Sequence, residues 1–181
     1  MSSPTHLGRV PDGDGLRAAF ACFPSGVIAI GALVDGAPCG MAVSSFTSVS
    51  LDPPLVSVCV GRTSETWPRL APAPEIGLSV LAEAHEHAVR ELSRKGVDRF
   101  AQVSWESTPA GAVFIHGSSL WLNCRTEAVV PAGDHEIVLL RVQAAHSRPE
   151  IAPIVFQGRR LRRLIPCGTP AQASRDHSHV R

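Results

Sequence analysis

The pair Asp35-Gly36 constrains this chain more than any other two residues. Both residue types tolerate positive φ, and they lie between two runs rich in apolar residues, 27–34 (VIAIGALV) and 39–50 (CGMAVSSFTSVS). That combination is a β-hairpin signal, so the chain is committed early to antiparallel strands. The first run is nearly all apolar, which suits a strand covered on both faces. In the second, Met41, Val43, Phe46 and Val49 alternate roughly with Ala42, Ser44, Thr47, Ser48 and Ser50. Read as one strand, it ends at Asp52-Pro53-Pro54, where neither proline has an N–H to give to a ladder. Five hydroxyls lie within residues 44–50, and no charge interrupts them. Small side chains leave the backbone approachable, so the segment suits a polar, planar ligand. A serine-rich edge strand is the plainer reading of the same residues.

Fifteen glycines and fifteen prolines punctuate the remainder and favour short strands over long helices. Further strands are expected at 55–60, 75–81, 119–130, 136–146 and 153–156. Asp14 is expected to cap a helix over 15–23, with Leu16, Ala19, Phe20 and Phe23 on one face. Thr63 or Ser64 suits the start of a short helix through Leu70. A third helix over 82–95 would turn Ala84, Ala88, Val89 and Leu92 inward, with Gly96 closing it. Residues 98–117 read as loop, 1–13 as a flexible leader and 166–181 as a disordered tail, leaving one domain over 14–165. Short strands in hairpins with few helices predict a small, mostly antiparallel barrel. Regular strand–helix alternation is missing, which argues against a doubly wound parallel sheet.

Several function classes are excluded early. A net charge of +1 with no basic stripe argues against a nucleic-acid partner. Five widely spaced cysteines without a CxxC pair indicate neither a disulfide framework nor a metal site. Four of the five sit in apolar runs and read as buried, reduced thiols. The first fifteen residues contain no apolar core of a signal peptide, and the longest uncharged run, 18–34, is broken by Pro24 and two glycines. A cytoplasmic protein without a membrane span is the expectation. There is no GxGxxG after a strand and no GxxxxGK[ST], so any nucleotide is held by another device.

Taken together, several segments resemble the short-chain flavin reductase family. They are Phe23-Pro24-Ser25-Gly26-Val27, the run from Gly40 through Ser44, Ser45 and Pro54 to Val56, and Gly133-Asp134-His135 at the head of a strand. Asp98-Arg99-Phe100 with Trp105, and Trp121-Leu122-Asn123-Cys124-Arg125, fit in the same order. The resemblance spans about residues 14–164. It implies a split β-barrel of the FMN-binding-protein type, mainly β with short helices. It also implies a flavin reductase that moves hydride from NADH or NADPH to N5 of FMN or FAD. Such enzymes supply reduced flavin by diffusion to a partner monooxygenase, and the family is usually a homodimer. The alternative is a non-catalytic flavin-binding electron carrier or sensor on the same barrel, which needs no nicotinamide site.

The resemblance also assigns residues. The flavin ring lies along Gly40, Met41, Ala42, Ser44 and Ser45, where nearby donors suit the charge that reduced flavin gains. The ribityl chain and phosphate fall to Cys59, Val60, Gly61, Ser64 and Thr66, with Arg62 adding charge, although an ordinary helix cap explains residues 63–66 equally well. His135 matches the histidine beside the nicotinamide, which must stack within roughly 3–3.5 Å of the flavin. Seen alone, a histidine after Gly-Asp in a turn is simply solvated. Glu91-Leu92 stands where the family has Arg-Phe, so Leu92 takes that contact with the flavin. Gly158-Arg159-Arg160 replaces a triplet that carries an aromatic. Arg159, Arg160, Arg162 and Arg163 read as a solvated basic face, with a nucleotide phosphate site as the alternative.

Overall fold

A computed structural model of the chain describes residues 8–165. Helix α1 (Gly13–Phe20) is followed by strands β1 (Ser25–Gly26), β2 (Ile28–Val34), β3 (Ala37–Val43), β4 (Thr47–Leu51) and β5 (Pro54–Gly61). Helix α2 (Trp67–Leu70) and β6 (Ile76–Val80) come next, and then a single 3-10 turn leading into α3 (Glu86–Ser93). Strands β7 (Trp105–Ser107), β8 (Val113–Ile115), β9 (Leu120–Ala132), β10 (His135–Ser147), β11 (Val155–Gln157) and β12 (Arg160–Arg162) complete the described chain.

Seven strands make one antiparallel sheet in the order β3-β2-β6-β9-β10-β5-β4. Its first hairpin turns at Asp35 (φ 52°) and Gly36 (φ 78°) and pairs Val34 with Ala37 through to Ile28 with Val43. At Val43 the partner strand β2 is used up. The expected single strand over 39–50 therefore breaks at residues 44–46, and its second half pairs with β5 instead. One run of sequence thus supplies both edges of the sheet. The link between them is pinned to β5, because the Ser45 hydroxyl donates to the Cys59 carbonyl (3.0 Å) and accepts from the Cys59 N–H (2.8 Å). A side chain substitutes for a backbone rung there, and no ladder joins β3 to β5 among the described residues. The barrel is split at this seam, as expected for the fold, and is not closed by strand pairing.

Period-two alternation distributes β2 between two cores. Ile28, Ile30 and Ala32 join Val58, Leu78, Cys124, Val138 and Leu140 in the barrel interior, with Trp67 and Leu70 of α2 packed among them. Val27 and Ala29 face outward into a second core with Val89 and Leu92 of α3, Phe100, Val113 and Ile115. This double burial is why residues 27–34 carry almost no polar side chain.

Other expectations need correction. Helix α1 is capped by the Asp12 carboxylate, not Asp14, and begins at Gly13, inside the expected leader. It buries nothing, and Phe20 and Phe23 are exposed, so an apolar face did not mean a core-facing one. The hairpin of β7 and β8 lies within the expected loop, and all of Val113–Ile115 is buried. Pro54 starts β5 rather than ending a strand, β11 begins at Val155 and continues through a turn into β12, and Ala84 is exposed. Cys39 and Cys124 are buried, Cys59 is half-buried and Cys22 is exposed. Residues 1–7 of the leader, the expected tail and Cys167 lie outside the described residues. No helix among the described residues is long and apolar enough to cross a membrane.

Candidate active site

Strand β3 is an edge strand, and its free edge makes the site. Ladder bonds in a two-residue hairpin fall on alternate pairs, so residues 37, 39, 41 and 43 face β2. The N–H and C=O groups of Gly40 and Ala42 then point away from the sheet. A groove runs along this edge between two walls. One wall is residues 61–69, and the other is the end of α3 with the following residues 95–100.

The groove has a central compartment of about 280 Å³ lined by Met41, Ala42, Gly61, Ser64, Lys95 and Arg99, among others. It opens on one side into a compartment of about 470 Å³ that shares Glu65, Thr66 and Arg99. On the other side a smaller space adds Val43, Ser44 and Phe156, and a further cleft carries Arg90, Arg159 and Arg160. Arg162 and Arg163 do not line it.

Arg99 holds the walls together. Its Nη1 donates to the Gly40 carbonyl (2.9 Å) and to Thr66 Oγ1 (2.9 Å), and its Nε donates to the Arg94 carbonyl. Gly40 must be glycine, because a Cβ there would collide with the Ile30 carbonyl oxygen and lie 2.9 Å from the Phe100 ring. Phe100 is in turn fixed by its N–H donating to Asp98 Oδ1 (2.9 Å). The Asp98-Arg99-Phe100 triplet is thus the brace of the groove.

The residues assigned to a phosphate divide into two groups. Ser64 Oγ accepts from the Trp67 N–H (3.2 Å) and donates only to the weak acceptor Met41 Sδ (3.8 Å), which a phosphate oxygen can replace, while Thr66 Oγ1 accepts from Arg99 and keeps its proton to donate. Helix α2 has only four residues, so its dipole adds little, and Lys95 and Arg99 supply the cations instead. Arg62 does not line the groove.

His135 opens β10 opposite Gly61. Its Nδ1 lies 2.8 Å from Asp134 Oδ1, and hydrogen bonding to the imidazole holds the Asp134 carboxyl below the usual carboxylate range. An ionised carboxylate only accepts, so Nδ1 donates to it, and in the neutral imidazole Nε2, on the Gly61 side of the ring, holds the lone pair.

Of the residues expected at the site, Gly40, Met41, Ala42, Ser44, Gly61, Ser64 and Thr66 line one continuous groove, and His135 lies at its edge over Gly61. Two do not offer a side chain to a ligand. Ser45 is committed to the seam with Cys59, while Val60 is 3% exposed and packed in the barrel interior. Leu92 packs in the second core and also lines the central compartment. Sequence reasoning does not find Lys95 or Arg69, and it gives Arg99 no role of its own. A basic residue just after a helix is a weak signal on its own.

The pattern has known counterparts. A family model described as "Flavin reductase like domain" matches residues 20–164. The NADH-dependent FAD reductase of Streptomyces globisporus is 36% identical over 180 residues, covering 96% of this chain and 98% of that one. A reductase subunit of a flavin-dependent monooxygenase from Rhodococcus jostii is 32% identical over 140 residues, covering 77% and 72%. Among solved structures, a Streptomyces globisporus NADH:FAD oxidoreductase in complex with NAD and FAD fragments superposes with a TM-score of 0.83 at 36% identity. It covers 91% of this chain and 100% of that one.

Proposed function

The chain belongs to the flavin reductase-like family, and from that premise we propose that it is an NAD(P)H-dependent flavin reductase whose flavin lies along the free edge of β3. The observation that carries the reading is that edge. Gly40 and Ala42 present outward-facing backbone, their side chains are too small to obstruct a ring, and Ser64, Thr66, Lys95 and Arg99 gather where a phosphate would end. The linked compartments fall within the roughly 300–1,000 Å³ typical of ligand sites.

A flavin bound there supplies an acceptor, at N5, for the hydride of a nicotinamide. The chain's own groups orient and discriminate. The Ala42 N–H donates toward the polar edge of the ring. Lys95 and Arg99 balance the charge of the phosphate, and the hydroxyls of Ser64 and Thr66 donate to its oxygens. His135, with Nδ1 held by Asp134, keeps Nε2 available to accept a carboxamide N–H and so positions the nicotinamide. NADH and FAD are the favoured pair, since the relative that matches nearly end to end is named for them.

Reduced flavin passes to a separate monooxygenase, as the name of the Rhodococcus jostii relative suggests. The protein acts as a homodimer, a reading supported by apolar side chains left bare at Val49, Leu51, Val129 and Val130. Light scattering on the purified chain checks that. A cytoplasmic location suits its use of the cytoplasmic nicotinamide pool.

The test is oxidation of NADH and NADPH, followed at the nicotinamide absorbance, with FMN, FAD or no added flavin. Turnover that rises with added FAD is expected. A flavin spectrum that survives desalting without any turnover would sink the reading in favour of a carrier.

A further inference from the structure

The groove does not stop at the phosphate-binding turn. It widens into the compartment of about 470 Å³, floored by Cys39 and Gly40 and walled by Thr66, Arg69 and residues 96–100. FMN ends at its phosphate, so a site built for FMN alone needs nothing beyond residues 61–66. FAD continues through a second phosphate into adenosine.

The chemistry of the extra space matches that continuation. Arg99 is fixed in the wall by three hydrogen bonds to main chain and Thr66. Arg69, by contrast, has no side-chain hydrogen bond or ion pair among the described residues, and it lines the outer compartment but not the central one. Both cations act on the buried floor: burial pushes the Cys39 thiol up, while Arg69 and then Arg99 pull it back down. Glu65 stands at the junction of the two compartments, where its carboxylate can accept from ribose hydroxyls. Gly96 adopts φ +69° and a Cβ there would meet nothing within 4 Å, so the rim stays open to an adenine.

We infer that this outer compartment takes the adenosine monophosphate half of FAD, with Arg69 binding its second phosphate and thereby setting a preference for FAD over FMN. The inference rests on the flavin reading above. Arg69 is a specificity residue in this account and touches no reacting atom.

Calorimetric titration of the full chain with FAD, FMN and AMP tests it directly, without turnover. Arg69→Ala is expected to weaken FAD about tenfold, the scale of one charge-assisted contact, so that the ratio of FMN to FAD dissociation constants falls by the same factor. Arg69→Lys restores most of the ratio. AMP at millimolar concentration displaces FAD from the wild type while FMN and AMP bind together. Equal losses for both flavins in Arg69→Ala, an unchanged ratio, or AMP that competes with both flavins or with neither would overturn the assignment. Wild-type protein that binds no flavin at all would overturn the flavin reading itself, a separate outcome.

Discussion

Strands β3 and β4 come from one stretch of sequence, the first small and apolar and the second hydroxylic, and both end up as sheet edges. Their fates differ. The edge of β3 is walled by α3, Arg99 and residues 61–69, and becomes a groove. The edge of β4 is left bare, with Val49 half exposed and Leu51 at 95%. Composition alone does not decide which edge is covered. What folds over each edge does, and that is decided far away in the chain. An edge strand with unpaired N–H and C=O groups is a liability unless something covers it. Here one edge is walled into a groove and the other is left bare.

The contrast can be broken by substitution. Gly40→Val on β3 should cost about 3 kcal/mol or more, at the top of the range for overpacking, because its Cβ meets the Ile30 carbonyl oxygen and the Phe100 ring. Ser50→Val on β4 should cost little, and equal losses of Tm in the two variants would show that the edges are not packed differently. Ser45→Ala removes both seam bonds to Cys59 and should cost about 1–3 kcal/mol. Ser48→Ala, one strand on, should stay within about 0.5 kcal/mol. A Ser45 variant as stable as wild type would remove the hydroxyl from the seam.

His135→Ala should slow NADH oxidation about tenfold at limiting NADH while the flavin dissociation constant stays within about twofold. Unchanged turnover would take His135 out of nicotinamide positioning. The last effect comes from the interior that the two edges share. Burial pushes the Cys124 thiol up to about 12 from an ordinary 9.0. Its folded-state value is raised, so the associated stability is fully present below pH 9 and is lost as pH rises toward 12. Denaturation midpoints at about pH 8 and about pH 11 should therefore fall less steeply in Cys124→Ala than in wild type.

Much of this was legible in the sequence, and the failures have physical causes. Strands β2, β5, β6, β9 and β10 announce themselves by apolar patterning, and Asp35-Gly36 fixes the first hairpin. Patterning shows that residues 39–50 are extended but not which neighbour each half pairs with, since Ser44 and Ser45 look like any other small strand residues. Ser45 and Val60 were placed in the site because the segment carries it. Alternation sends Val60 into the barrel, and the turn from β3 to β4 gives the Ser45 hydroxyl to the seam. Strand β8 is three residues long, and only the VFI run between Gly111 and Gly117 hints at it. The groove's second wall depends on Arg99 reaching 59 positions back to Gly40, a contact that local pattern cannot reveal.

The free edge of β3 also gives the protein a built-in reporter. Cys39 and Met41 hold their amide hydrogens in the ladder with β2, whereas Ala42 between Met41 and Val43 directs its own into the groove. In deuterated solvent the two sets should exchange at different rates along a single strand. A bound flavin would then behave as a missing eighth strand, slowing the Ala42 amide while leaving its ladder-bonded neighbours unchanged.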